Sequence, residues 1–308
     1  MSGPDIAAIS AASIARGSKS FAAASRLFPK RTRESVVMLY AWCRHCDDVV
    51  DGQDAGSALR HVDGRPPAER IAALRRDTDA AFQGDTEGLH PAFAALAEVV
   101  RRHDLPREDA AEHLAGFAMD ADGEAFRTLD ELFLYCWRVA GVVGVMMARI
   151  MGVREPGVLD RASDLGLAFQ LTNIARDVVD DAVAGRVYLP AEWLAQEGLA
   201  SGELADPRRA EAVFRLRRRL VQAAEPYYAS ARIGVGALPP RSAWAVGTAF
   251  GVYRRIGLKL VARGPEPVPE RVSTSRGEKF AEIGRGAAMA LGRRAGAPRP
   301  PLLWTRPR

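Results

Sequence analysis

The sequence predicts an all-α fold in which a single-domain helical bundle surrounds a central cavity. Three observations in its 308 residues support this prediction. Apolar residues recur at helical spacing nearly everywhere, and no segment alternates apolar and polar residues long enough to indicate a strand. Prolines precede many of the apolar segments and glycines follow them, as at helix starts and ends. Two aspartate-rich stretches lie inside such helix-forming sequence.

Five helices are expected in the first part of the chain. Pro66 and Pro67, Pro91 and Pro106 each start a helix, and Gly84 ends one. A segment rich in Gly and Asp, residues 52–65, reads as a loop. The predicted helices span residues 6–27, 32–51, 68–82, 92–103 and 107–121.

The second part of the chain predicts five more helices. Thr128 and Glu131 form a capping box that opens a long apolar helix. Gly185 stops a later helix, and Pro190 keeps the residue before it out of the helical conformation, so residues 185–190 are expected to be extended. The predicted helices span residues 128–152, 156–184, 206–233, 240–262 and 276–294, with a linker at 264–275.

No composition shift divides the chain, so residues 1–295 are predicted to form one domain. Residues 296–308 are rich in Pro and Arg, and a poorly ordered tail tethered by Trp304 is expected there.

The composition, with 48% hydrophobic and 26% charged residues, is typical of a soluble globular protein. The net charge of +5 suits anionic partners such as diphosphates or an anionic membrane. Nucleic acid is not expected, because no basic run is interleaved with aromatics. The N-terminus lacks the features of a signal peptide, and three cysteines are too few for a disulfide framework, so a cytoplasmic location is expected. Because the chain is net positive and no 18 apolar residues run without charge, any membrane contact is expected to be peripheral.

The acidic stretches carry the functional prediction. Asp47 and Asp51 lie one turn apart on one helical face, and Asn173, Asp177 and Asp181 form a second ladder. Like charges at i,i+4 cost a helix a few tenths of a kcal/mol per pair unless a cation lies between them. Two facing ladders would hold Mg²⁺ around a diphosphate, because Mg²⁺ prefers carboxylate and phosphate oxygens. The alternative is a pair of solvated acidic faces, which the flanking valines disfavour.

Basic and hydroxyl side chains accompany both ladders. Arg44 precedes Asp47 by one turn and Arg176 precedes Asp177, and the guanidinium fork suits phosphate oxygens. For Arg176, an intrahelical ion pair with Asp180 is the structural alternative. Ser18, Lys19 and Ser20 would bind phosphate with Phe21 lining an apolar cavity, unless they belong to a surface helix turn.

Tyr135 is a lone hydroxyl-bearing ring on an apolar helix. It would serve as a proton relay, as a π-face that stabilises a carbocation, or as a plain core tyrosine. Gly141 and Gly144 follow it, three residues apart. Because glycine destabilises a helix interior, this pair predicts close approach of another backbone or of a ligand.

Four ordered segments resemble the squalene/phytoene synthase family, and in particular its bacterial phytoene-forming members. The resemblance extends from about Arg16 to Trp304. Its segments are residues 17–21 (GSKSF), 39–51 (LYAWCRHCDDVVD), 135–144 (YCWRVAGVVG) and 165–190, which includes the second ladder and RVYLP.

The resemblance implies the isoprenoid (terpenoid) synthase fold and a Mg²⁺-dependent prenyltransferase, with Mn²⁺ as a substitute metal and without NADPH. Two geranylgeranyl diphosphates would condense head to head, through a cyclopropylcarbinyl diphosphate, to phytoene. Contact with other enzymes of carotenoid biosynthesis is also implied.

The family's residue roles transfer by position. Both ladders would bind Mg²⁺, with Asp47, Tyr135, Arg176 and Asp177 as catalytic residues. The substrate would be bound by Ser18, Ser20, Phe21, Tyr40, Arg44, Gln170, Arg176 and Tyr253, and Arg254 is a further, weaker correspondence.

Two other functions remain compatible with the sequence. A dehydrosqualene synthase would use two farnesyl diphosphates, and the depth of the tunnel for the prenyl chain would decide between the substrates. A non-catalytic assembly protein of the same fold would be free to lose the metal ligands, all of which this chain keeps.

Overall fold

The computed structural model describes residues 24–51, 65–123, 125–265, 271–292 and 297–307. These residues form ten α-helices and short 3₁₀ turns, and none of them lies in a strand. The helices are α1 (Lys30–Asp51), α2 (Pro67–Gln83), α3 (Pro91–His103), α4 (Arg107–Asp122), α5 (Leu129–Ile150), α6 (Pro156–Val183), α7 (Ala191–Gln196), α8 (Ala210–Val235), α9 (Pro240–Arg263) and α10 (Arg276–Leu291).

The observed helix ends agree with the predicted ends to within a few residues, because local sequence signals set them. The Thr128 side chain accepts a hydrogen bond from the Glu131 amide (3.3 Å) at the start of α5. Gly84 ends α2 with a φ of 83°, a left-handed conformation that glycine adopts without strain. The short helix α7 was not predicted, and the predicted first helix lies mostly in residues 1–23, outside the described residues.

The helices α5 and α6 form the centre of the fold. α4 packs on α5, while α8 packs on α6, and α9 and α10 complete the far side. A Cβ at Gly144 would overlap the Ala162 carbonyl oxygen, and a Cβ at Gly166 would overlap that of Ala140. The two backbones therefore touch, which confirms the close approach predicted from the Gly141 and Gly144 pair.

Helix α5 contains a π-turn, Trp137–Gly141, that the sequence did not reveal. Such turns add a residue to the helix and are frequent at functional sites. Among the described residues, α5 is also the one helix long and apolar enough to cross a membrane. Over half of its most apolar window is buried inside the protein, as in the core helix of a bundle.

The C-terminal segment 297–307 is seated on α6 and α8. Arg299 pairs with the buried Asp164 (2.7 Å), and Arg306 pairs with Asp160 (2.7 Å). The Trp304 amide donates to the Tyr227 hydroxyl (3.1 Å), so the predicted tether by Trp304 is present. The arginines of the tail thus find acidic partners on α6, while the expectation that the tail is poorly ordered stays a prediction.

Candidate active site

A cavity of about 550 Å³ runs along the inner faces of α5 and α6. On α6 its lining extends from Val158 to Asn173, which is about 22 Å at 1.5 Å per residue. The lining from Val158 to Phe169 is apolar apart from Arg161, whose guanidinium donates to the carbonyl oxygens of Ser230 and Ala297, and it becomes polar at Gln170 and Asn173. The cavity therefore has a long apolar part and one polar end.

The first acidic ladder lies at the polar end. Arg44 and Asp47 line the cavity together with Tyr40. The Arg44 guanidinium pairs with Asp47 (2.9 Å) and with Asp48 (2.6 Å), so the fork is already shared between two carboxylates of its own helix. Asp51 closes α1, but its side chain lies outside the described residues.

The second ladder contributes Asn173, which lines the same polar end, and Asp177 one turn further along α6. Asp177 accepts two hydrogen bonds from Arg176 (2.7 and 2.6 Å) and two from Arg271, of which the bond from Nε measures 2.8 Å. The expected alternative, an Arg176–Asp180 pair, is replaced by the pair with Asp177. Two arginines thus occupy the place where a diphosphate would meet the ladder.

The charges of the second ladder act on one another. Burial, followed by the negative charge of Asp177, raises the pKa of Asp181 to about 6. For Asp177, burial also favours the protonated form, but the hydrogen bonds from Arg176 and Arg271 outweigh it and lower the pKa of this carboxyl. Asp177 is therefore ionised at neutral pH, and a further cation would stabilise the ionised form of Asp181.

The donor chemistry at this end fits a hard divalent cation. Carboxylate and amide oxygens are available from Asp47, Asn173 and the neighbouring ladder residues, and like charges are crowded at Asp181. Within the described part of the chain, no three acidic, His or Cys side chains already converge on one metal position. Metal binding by both ladders therefore stays a prediction.

Tyr135 lines the cavity as part of a hydrogen-bonded group. Its hydroxyl donates to Asp120 Oδ2 (3.1 Å), and the Tyr188 hydroxyl donates to Asp120 Oδ1 (3.0 Å). The two phenol rings stack with centroids 5.2 Å apart. Burial, and then the charge of Asp120, raises the pKa of Tyr135 well above its ordinary value, so its proton is retained at neutral pH.

Sequence reasoning missed Asp120 and Arg271. Asp120 lies in the last turn of α4, which ends at Asp122 before Glu124 is reached, and Arg271 belongs to a segment that was interpreted as a linker. Tyr253, for which the resemblance implies substrate binding, lines the cavity, and its ring stacks on Phe169 at 4.2 Å. Arg254 does not line this cavity and instead pairs with Glu225 (2.8 Å). Ser18, Ser20 and Phe21 lie outside the described residues.

Comparison with known proteins gives consistent results. A sequence profile described as squalene/phytoene synthase matches residues 14–278. The chain is 51% identical to a 15-cis-phytoene synthase of Pantoea ananas, with all of both chains covered. It is 53% identical to a 15-cis-phytoene synthase of Enterobacter agglomerans over 94% of this chain and 99% of the relative.

A similar solved structure is that of a dehydrosqualene synthase in complex with ligand. It has a TM-score of 0.81 and 26% identity, and the match covers 93% of this chain and 96% of the other. A squalene synthase from Alicyclobacillus acidocaldarius, at 23% identity and a TM-score of 0.72, shares the fold.

Proposed function

This chain belongs to the squalene/phytoene synthase family, and we propose that it condenses two geranylgeranyl diphosphates head to head to phytoene. The observation that carries the proposal is the cavity of about 550 Å³ with one polar end and a long apolar part. Its volume lies within the range of about 300–1,000 Å³ that is usual for ligand sites. Such a shape suits a diphosphate joined to a hydrocarbon chain.

The length of the cavity, measured from its polar end at Asn173, supports a C20 substrate. An extended sixteen-carbon main chain, as in a geranylgeranyl group, spans roughly 19 Å, and the twelve carbons of a farnesyl group span roughly 14 Å, given ordinary carbon–carbon bond geometry. The cavity follows α6 for about 22 Å. A farnesyl chain would leave its deep part empty.

At the polar end, the residues of both ladders would bind the diphosphate. Mg²⁺, or Mn²⁺ in its place, would be held by Asp47, Asp51, Asn173, Asp177 and Asp181 and would neutralise the leaving diphosphate. Arg44 and Arg176 are positioned beside the ladders to exchange a carboxylate partner for phosphate oxygens. Gln170, which lines the cavity beside Asn173, orients the same group.

The reaction balances without a reductant. Two carbon–oxygen bonds break, and each leaves its electron pair on a diphosphate. The two C20 skeletons join through the cyclopropylcarbinyl diphosphate, and two protons leave the carbon framework in total. No hydride is added, so NADPH is not needed.

Tyr135 is suited to removing a proton from the carbon framework. Tyr135 lines the cavity, and its hydroxyl already donates its hydrogen to Asp120 at 3.1 Å. A proton accepted at the phenol oxygen would be matched by transfer of the phenol hydrogen to Asp120. Tyr188 donates to the other oxygen of Asp120 and holds it in place.

We further propose that the protein works in the cytoplasm, at a membrane surface, in contact with other enzymes of carotenoid biosynthesis. Long hydrocarbon substrates and products, together with the net charge of +5, support this placement.

The test is incubation of the pure protein with Mg²⁺ and geranylgeranyl diphosphate, without nicotinamide, followed by mass analysis of the extract. A C40 hydrocarbon with the mass of phytoene is expected. Preferential formation of a C30 hydrocarbon from farnesyl diphosphate would favour a dehydrosqualene synthase instead. The absence of hydrocarbon from either substrate would favour a non-catalytic assembly protein.

A further inference from the structure

The outward face of α10 is apolar and free of acidic residues. Phe280 and Leu291 are 74% and 84% exposed, and their separation of eleven residues puts them about 20° apart around the helix axis. The other exposed positions of α10 add small residues and two arginines: Arg276, Gly277, Ala281, Gly284, Arg285 and Ala288. Two large apolar side chains this exposed on one helical stripe point to a surface that is covered in use.

The inward face of α10 fixes this orientation. Glu282 is 4% exposed and pairs with Arg255 (2.8 Å) and Arg285 (2.5 Å). A Cβ at Gly286 would lie 2.6 Å from the Thr248 amide nitrogen, so α10 lies directly against the backbone of α9. A rotation of α10 that buried Phe280 and Leu291 would break the Glu282 ion pairs and the close contact at Gly286.

A cationic cleft lies beside the apolar stripe. It has a volume of about 410 Å³, and four arginines line it: Arg232, Arg254, Arg255 and Arg285. Glu282 and Glu225 pair with three of them, while Arg232 has no ion-pair partner among the described residues. Four guanidinium groups against two carboxylates leave a net positive cleft, and the 45% exposed Leu258 lies at its edge.

We propose that these features form one surface, the α9–α10 surface, that docks the protein on an anionic membrane. It consists of Phe280 and Leu291, of Leu258, and of the arginine cleft. Lipid phosphates would occupy the cleft, and the three apolar side chains would enter the boundary between headgroups and acyl chains. A second copy of this chain fits poorly, because a two-fold contact would place the same arginines against each other.

Docking at this surface would bring the large cavity close to the bilayer. The benefit of this position for catalysis rests on the proposed function. α10 contributes Lys279 and Ile283 to the lining of the large cavity, and α9 contributes Val246 and Val252. The α9–α10 surface and the cavity are therefore separated by about one helix diameter, roughly 10 Å. Prenyl chains entering or leaving the cavity would have a short path to a bilayer on this side.

The test measures flotation of the full chain with vesicles of phosphatidylcholine alone or mixed with phosphatidylglycerol. The wild type is expected to float with the mixed vesicles at low salt. The double variant Phe280→Ser/Leu291→Ser is expected to lose at least about fivefold in bound fraction. Leu302→Ser is the matched control, because Leu302 is 97% exposed outside this surface. Equal binding of wild type and double variant, or an equal loss in the control, would overturn the proposal.

A second pair of variants tests the charge. Arg232→Gln/Arg276→Gln removes two positive charges from this side, and Arg75→Gln/Arg76→Gln removes two exposed charges from α2. Binding is expected to fall about fivefold per arginine in the first variant and to change much less in the second. Equal effects would mean that net charge alone drives binding and would overturn the assignment of this surface.

Two further measurements separate the alternatives. Sedimentation velocity would overturn the membrane assignment if it showed a dimer that the Phe280→Ser/Leu291→Ser variant abolishes. Circular dichroism and turnover of detergent-dispersed substrate are expected to be unchanged in this variant. Absence of turnover in the wild type would contradict the proposed function and leave the flotation result standing.

Discussion

Enlarging Ala162 should shorten the cavity and change the preferred substrate. Ala162 lines the cavity and lies about 16 Å along α6 from Asn173. In Ala162→Phe the ring would close the deep part beyond that point. A farnesyl chain of roughly 14 Å would still fit, whereas a geranylgeranyl chain of roughly 19 Å would not.

The size of the expected loss in kcat/KM follows from the cost of overpacking a filled site, which is about 1–3 kcal/mol. If this cost falls only on the C20 chain, kcat/KM for geranylgeranyl diphosphate drops about 5–150-fold, while kcat/KM for farnesyl diphosphate changes little. The preference between the two substrates would then shift by the same factor.

The assay measures kcat/KM for each diphosphate by product extraction, with Ala162→Ser as a control of nearly unchanged size. The control is expected to behave like the wild type. Equal losses of kcat/KM for the C15 and C20 diphosphates in Ala162→Phe, with the fold intact by circular dichroism, would refute the inference. The length of the cavity along α6 would then not limit the length of the prenyl chain.

Three other predictions concern single contacts. Asp177→Asn should lower turnover at saturating Mg²⁺ by about 10²-fold or more, because it removes a ladder charge; near-normal turnover would exclude Asp177 from the site. Tyr135→Phe should slow formation of the cyclopropyl intermediate by about 10²–10⁴-fold with little effect on substrate binding, and an unchanged rate would make Tyr135 a core residue. Arg299→Ala should lower the free energy of unfolding by about 3–5 kcal/mol in urea titrations, because it leaves Asp164 buried without its ion pair. Adding Asp164→Asn should restore part of that stability, and a full effect in the double variant would point to another role for Arg299.

The helices could be predicted because their ends are marked in the sequence itself. Pro67, Pro91 and Pro240 begin helices at positions where the missing amide hydrogen costs nothing, and Gly84 ends one. The π-turn at Trp137–Gly141 could not be predicted in this way. It depends on packing against α4 and α6, which local propensity does not report.

The site was predictable where its residues repeat at helical spacing. Asp47, Asn173 and Tyr135 were singled out from such patterns or from their isolation on an apolar helix, and all three line the cavity. Asp120 and Arg271 come from other elements and reach the site only through the tertiary fold. An aspartate in the last turn of a helix, or an arginine in a loop, gives no spacing signal.

The depth of the cavity also required the structure. The apolar lining residues on α6 look like ordinary core positions in the sequence, and the gap in front of them depends on α5, α8 and α9. The small residues Gly144 and Ala231 contribute to this lining, and small side chains at a wall leave room that larger ones would fill.

Competition between the two diphosphates tests the central claim most directly. The pure protein, with Mg²⁺ and no nicotinamide, receives equal concentrations of geranylgeranyl and farnesyl diphosphate, and the extracted hydrocarbons are separated by mass. The cavity geometry and the family membership predict that C40 hydrocarbon predominates. Predominance of C30 hydrocarbon, or turnover that persists after chelation of divalent metal, would contradict the account.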